Sequence, residues 1–243
     1  MAKNISVQTF ADSLNPYGTW FGNEHERREW VGCPLVVHRR CISPMFDISN
    51  ELSYDETMKN KTNLPKEEDG KKFVYPESRW IVIKGKEEKK RNHFVKEQAD
   101  KAIEILENAF SDSERPEIFI ISPFTIVANG VKHQLSEYLA MYPDSSMSGR
   151  VDKEWQSKNI GTVHTFQGKV ANEVIFILGC DMSKDAEGAI NWVNKNIVNV
   201  AVTRVKFRLY VIGDDAAWEK SSVLKNVLKR ICKLNPSEEE FGC

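Results

Sequence analysis

The chain has 243 residues, 41% of them hydrophobic, with 34 Lys+Arg against 35 Asp+Glu and a net charge of −1. That length holds one to two domains and a sizeable core, and the balanced charge leaves only a local basic cluster as an argument for a polyanion partner. The first residues carry no apolar leader, and no run approaches the ~18 apolar residues of a membrane span, so no membrane partner is expected. The five cysteines (33, 41, 180, 232 and 243) have no C-x-x-C spacing. They read as free thiols in a reducing, cytoplasmic setting, with no metal site expected.

Residues 1–34 read as an irregular lead-in with a turn at Asn15-Pro-Tyr-Gly18. Pro34–Val37 predicts a short buried strand, followed by Arg39, Arg40 and Cys41 and then a short helix ending near Tyr54. Residues 55–78, charged and punctuated by Pro65, Gly70 and Pro76, read as a surface excursion. Trp80–Ile83 predicts a strand, and Lys84–Arg91 a solvated loop. From His93 to Phe110 the apolar residues Val95, Ala99, Ala102, Ile103, Leu106, Ala109 and Phe110 recur at helical spacing. Glu117–Ile121 predicts a strand stopped by Ser122-Pro123, and a second amphipathic helix runs from Phe124 to Leu139. Residues 143–159 are turn-rich; Gly161–Thr165, Glu173–Leu178 and Leu209–Ile212 predict strands. Lys184–Ala201 predicts a broken helical region, Ala216–Cys232 a last helix, and 233–243 a tail.

Short strands alternating with longer helices predict an α/β fold with a largely parallel sheet over 35–232. In such sheets ligands sit at the carboxyl ends of strands. Ser122, Thr165, Gly179, Gly213, Arg39 and Arg40 are placed at strand ends by this reading.

Four constellations bear on chemistry. Thr162-Val-His-Thr-Phe-Gln-Gly168 ends in a glycine that lets backbone approach a ligand. Its hydroxyls and amide suit a phosphate or a nucleotide; the plain alternative is a strand-to-loop turn around a core histidine. Val200-Ala-Val-Thr-Arg-Val-Lys206 offers a guanidinium fork that matches phosphate oxygens. Its alternative is a basic helix end. His38-Arg-Arg-Cys41 is either a second phosphate-facing pair or a solvated one, and Ile120-Ile-Ser-Pro-Phe124 places Ser122 at a sheet edge or merely ends a strand. Trp155, Trp192 and Trp218 suit base stacking, or core and rim packing.

The two strings Thr162–Gly168 and Asn199–Lys206 resemble motifs V and VI of superfamily-1 helicases, in the 5′-to-3′ branch that includes the RNA-decay and Okazaki-fragment helicases (DNA2/NAM7-like). Ile120–Phe124 resembles motif IV, and the Arg39-Arg40 block resembles a conserved phosphate-facing arginine block. The resemblance runs from Ser6 to about Trp218. It implies a RecA-like second motor lobe, with 1–34 leading in from a first lobe. It further implies Arg204 and Arg40 as arginine fingers, and Gln167, Gly168, Lys206 and Arg39 at the nucleotide. Thr162, His164, Thr165 and Ser122 fall on single-stranded nucleic acid, with DNA favoured over RNA. ATP and Mg²⁺ are implied only in a complete two-lobe enzyme.

The departures from the family pattern are as telling. No G-x-x-x-x-G-K-[ST] phosphate loop occurs in these residues, and no Asp-Glu pair follows a hydrophobic strand. A glutamate usual two residues after the motif V glycine is Val170, an often acidic neighbour is Asn172, a commonly basic position is Thr125, and a usual motif VI alanine is Val205. The expectation is a half-motor that needs a first RecA-like lobe in cis or in trans and shows no ATPase alone. The alternatives are a non-catalytic single-strand binding or docking module, or an inactive gene remnant.

Overall fold

The computed structural model describes residues 7–21, 28–32 and 36–234. The elements in chain order are α1 (Val7–Leu14), β1 (Gly18–Phe21), β2 (Glu29–Gly32), β3 (Val37–His38), α2 (Met45–Ser53), β4 (Lys59–Asn60), α3 (Glu67–Gly70), β5 (Arg79–Val82) and α4 (Lys96–Asp112). They continue with β6 (Ile118–Ser122), α5 (Thr125–Met141), α6 (Lys153–Asn159), β7 (Ile160–Thr162) and β8 (Ala171–Ile177). A single 3₁₀ turn (Lys184–Ala186) leads to α7 (Glu187–Trp192), α8 (Lys195–Val202), β9 (Val205–Gly213), α9 (Asp215–Trp218), α10 (Leu224–Arg230) and β10 (Cys232–Leu234).

The central sheet has six strands in the order β10-β5-β9-β8-β6-β7, and every pairing in it is parallel. Because side chains alternate across a strand, near-continuous apolar strands bury both faces. Val174, Phe176, Leu209 and Val211 meet α2, α8 and α10 on one face. Ile175, Ile177, Tyr210 and Ile212 meet α4 and α5 on the other. The helical stripe from Val95 to Phe110 is buried throughout. This is the α/β arrangement with a parallel central sheet expected of a RecA-like lobe.

Several elements differ from the sequence reading. The described part of the lead-in is a helix and an antiparallel hairpin. The helix is joined to the strands by the Gly32 N–H to Asp12 Oδ1 bond (3.0 Å) and by Trp30 Nε1–H, which donates to Asp12 O at 2.9 Å, and within the strand pair Trp20 and Trp30 meet edge-on at 5.4 Å. Local pairing of those aromatics builds structure where the composition looked irregular. The strand expected at Pro34–Val37 survives only as β3, with Val36 and Val37 exposed; Pro34 and Leu35 lie outside the described residues. β3 pairs with β4 from the excursion and stays out of the central sheet.

The end of the excursion is anchored. Val74 and Tyr75 donate backbone N–H groups to Glu173 Oε2 and Tyr210 Oη, both at 3.2 Å. Asp152 caps α6 by accepting the Trp155 N–H, so the turn-rich segment holds a helix. The strand expected through Thr165 stops at Thr162. The last helix is broken into α9 and α10, and Cys232 opens an edge strand instead of closing a helix.

Candidate nucleotide and nucleic-acid site

The resemblance strings come together in space, but at two edges of the sheet. Thr162 ends β7 opposite Ser122 at the end of β6, which puts both at the carboxyl edge. Ala171 pairs with Val205 at the start of β8 and β9, the amino edge. About six residues of strand separate the two levels, roughly 20 Å at about 3.3 Å per residue. The link between them is Val163–Gly168, a run of turns that crosses one face of the sheet without a helix.

That link is ordered by its own sequence. Thr165, Gln167 and Lys169 each donate a backbone N–H three residues back, to Thr162, His164 and Phe166. Val163 and Phe166 point into the core, and the Phe166 ring lies 4.6 Å from Phe119. His164, Thr165, Gln167 and Gly168 are left exposed, and Thr162 half-buried. The Thr162 and Thr165 hydroxyls share a hydrogen bond at 3.1 Å. Gly168 has φ +91°, a conformation that strains any side chain although the space around it is open. His164 is therefore outside the core, against the plain alternative of a buried histidine.

Ser122 is 1% exposed, and its hydroxyl accepts the Phe124 N–H at 3.2 Å. It closes the strand-to-helix turn and presents no hydroxyl to solvent. Its backbone carbonyl accepts the Val163 N–H at 3.2 Å, which ties the motif IV and motif V strings together.

Arg204 is 6% exposed and sits at the amino edge. Its Nε donates to Val200 O (3.2 Å), its Nη1 to Phe166 O (3.4 Å) and Lys169 O (3.2 Å), and its Nη2 to Thr203 Oγ1 (3.4 Å). Of five guanidinium N–H donors, one is left for anything else. Burial first, and then the positive charge of Arg40, lower its pKa. Arg39 and Arg40 are exposed, with no hydrogen-bond or ion-pair partner among the described residues. Their loop is docked on β9 by the Ile42 N–H to Lys206 O bond at 3.1 Å. It is braced from within by His38 Nε2, which accepts the Cys41 N–H at 3.0 Å. Lys206 is exposed, with Nζ 4.8 Å from the Phe207 ring centre. The expectation that Arg39 and Arg40 sit at a carboxyl edge is thus corrected: their strand belongs to the small sheet, and the loop lands beside the amino end of β9.

Of the tryptophans, Trp218 is fully buried and donates Nε1–H to Gly179 O at 3.0 Å, which removes it from any stacking role. Trp155 packs edge-on against Phe110 at 5.5 Å. Trp192 is 51% exposed and lies 5.8 Å from Phe124, which in turn lies 4.8 Å from the His93 ring. These three rings, with Arg91, Ile126 and Lys184, line an open cleft of about 830 Å³ at the carboxyl edge. The sequence named Trp192 only as an isolated residue; its ring partners lie about 70 and 100 residues away, so spacing carries no sign of the row.

Fold and site together define a parallel α/β domain with one cationic edge and one aromatic-lined edge. The chain belongs to the AAA_12 family, described as an AAA domain, whose model matches residues 21–216. Among solved structures it is similar to the C-terminal domain of a possible DNA helicase from Lactobacillus plantarum WCFS1. The two share 12% identity with a TM-score of 0.42, over 81% of this chain and 98% of that one. No curated protein matches the sequence. No described helix is long and apolar enough to cross a membrane.

Proposed function

We propose that the chain is the second motor lobe of an ATP-dependent nucleic-acid helicase or translocase of superfamily 1. The observation that carries this is the Arg204 clamp. It joins the motif VI string to the motif V turn, and Lys206 O joins the same string to the Arg39-Arg40 loop. Three strings far apart in sequence thereby converge on one cationic edge. In this reading a first lobe docks there with its ATP and Mg²⁺. Arg40 is the guanidinium free to reach the triphosphate. Arg204 fixes the turn and reaches phosphate only by exchanging carbonyl partners on docking. Gln167, Gly168, Lys206 and Arg39 border the nucleotide.

Single-stranded nucleic acid, DNA before RNA, runs along the carboxyl edge over Thr162, Thr165 and His164. Bases stack in the Phe124–Trp192 cleft, and Ser122 acts there by shaping the turn. The lobes close on ATP and open on hydrolysis, which steps the strand. The test is anisotropy of a labelled single-stranded oligonucleotide with the purified chain across a salt series. Binding that weakens steeply with salt and falls in a Thr162→Val, Thr165→Val double variant is the expected result. Salt-independent binding, or none, contradicts the strand path.

A second reading is favoured by one observation, the near-complete occupation of Arg204. It makes the lobe a strand-binding or docking module without catalysis. It predicts binding as above, with no ATP turnover when a first lobe is added.

A further inference from the structure

Glu87, His93 and Cys180 converge beneath the aromatic cleft, and the metal-ligating atoms of all three lie within 4.8 Å of one another. They come from two segments: Glu87 and His93 from the connection between β5 and α4, and Cys180 from the loop after β8. We propose that they form a binding site for a thiophilic divalent cation of the zinc class, with a fourth position open to solvent. The site stands independently of the motor-lobe reading.

The first support is donor chemistry. A thiolate, an imidazole and a carboxylate suit Zn²⁺, and two anionic donors with one neutral donor balance a dication. The second is geometry. His93 Nδ1 and Glu87 Oε1 are 3.3 Å apart. Two ligands at about 2.0–2.1 Å on a tetrahedral ion lie roughly 3.3 Å from each other.

The third is burial of a carboxylate. The Glu87 side chain is 4% exposed, and among the described residues its one ion-pair partner is His93. A buried carboxylate calls for a cation. A metal bound there would displace the Cys180 thiol proton to solvent as the metal–sulfur bond forms.

The fourth is preorganisation. His93 and Cys180 both hold left-handed backbone, at φ 59° and 61°. The Cys180 N–H donates to His93 O at 2.9 Å. Gly179 permits this approach, since a Cβ there would stand 2.2 Å from the same oxygen. Asp181 accepts the Glu87 N–H at 3.1 Å and the Ser183 N–H at 2.8 Å, so it braces the loops from outside the donor set. His93 also borders the open cleft, which gives the ion an entry path. A bound metal would staple these loops under Phe124, whose ring rests on His93.

The experiment is titration of the full-length, chelator-stripped chain with Co²⁺ and then Zn²⁺. The expected result is one equivalent of Co²⁺ with a thiolate-to-cobalt charge-transfer band, displaced by Zn²⁺. Cys180→Ser should abolish the band, and Glu87→Gln should weaken binding at least about tenfold. Cys41→Ser should change nothing. Far-UV circular dichroism on each variant, and the near-isosteric Glu87→Gln, separate lost ligation from lost folding. No stoichiometric uptake, or a band that persists in Cys180→Ser, overturns the proposal and identifies the triad as a hydrogen-bonded cluster only. Oligonucleotide binding measured in parallel reports on the motor-lobe reading separately.

Discussion

Arg204 holds Lys169 through the main chain: Nη1 donates to the Lys169 carbonyl at 3.2 Å, and to the Phe166 carbonyl beside it at 3.4 Å. A side chain suited to phosphate here closes the turn that crosses the sheet. Truncation leaves carbonyl oxygens without a donor in a buried site, at a cost of about 1–3 kcal/mol. Arg204→Ala is expected to lower unfolding free energy by that amount in urea melts. Arg204→Lys should recover only part, because a single ammonium cannot reproduce the fork. A fully stable Arg204→Ala would show that the clamp contributes nothing.

His38 makes stability depend on pH. Burial first, and then Arg40, lower its pKa from 6.5. The neutral ring accepts the Cys41 N–H at Nε2, so protonation removes the bond. Above about 6.5 the ring is neutral in both the folded and unfolded chain, and the contribution is complete. As pH falls below that value the unfolded chain takes the proton first, and stability drops toward the lower folded pKa. Melting temperatures from pH 8 to 5.5 should show the drop in wild type and a shallower one in Arg40→Ala. Identical profiles would exclude a contribution from Arg40, and a wild-type profile flat over this range would exclude His38 as the source.

Glu173 offers a different sign. It is 3% exposed and accepts the Tyr210 hydroxyl and the Val74 N–H. Burial raises its pKa, with the hydrogen bonds opposing. Its folded pKa lies above the unfolded value, so its contribution is present at low pH and is lost as pH rises through the folded value. Glu173→Gln keeps an acceptor without the charge and is expected to be neutral or stabilising at pH 7. Glu173→Ala strands both donors and should cost about 1–3 kcal/mol. Urea melts at pH 5 and 7 check both.

Trp192 is the exposed member of the ring row. Base stacking on an aromatic is worth about 1–3 kcal/mol per base. Trp192→Ala should weaken single-strand binding roughly 5- to 150-fold with little change in melting temperature. Unchanged affinity in anisotropy would remove the cleft from the strand path.

The core was legible because its periodicities are strong. The stripe of α4 and the buried runs of β5, β6, β8 and β9 leave few alternatives once apolar residues must face inward. What escaped was set by contacts between distant residues. β3 looked like a core strand by composition, yet its partner is Lys59–Asn60. For Ser122 the sequence left an edge hydroxyl and a plain strand end equally open, and its oxygen accepts the Phe124 N–H at the strand end. The split between amino and carboxyl edges follows from a crossing without a helix, which no spacing rule announces. The cluster of Glu87, His93 and Cys180 was invisible to cysteine arithmetic because its ligands are 6 and 87 residues apart in sequence.

Whether this lobe completes an ATP site with a first lobe is decided by ATP turnover. The purified chain would be assayed with single-stranded DNA, alone and with an added first lobe carrying a phosphate-binding loop. A second motor lobe should show no turnover alone, strand-stimulated turnover with the added lobe, and loss of that turnover in Arg40→Ala. Turnover by the chain alone, or added-lobe turnover indifferent to Arg40→Ala, would contradict it.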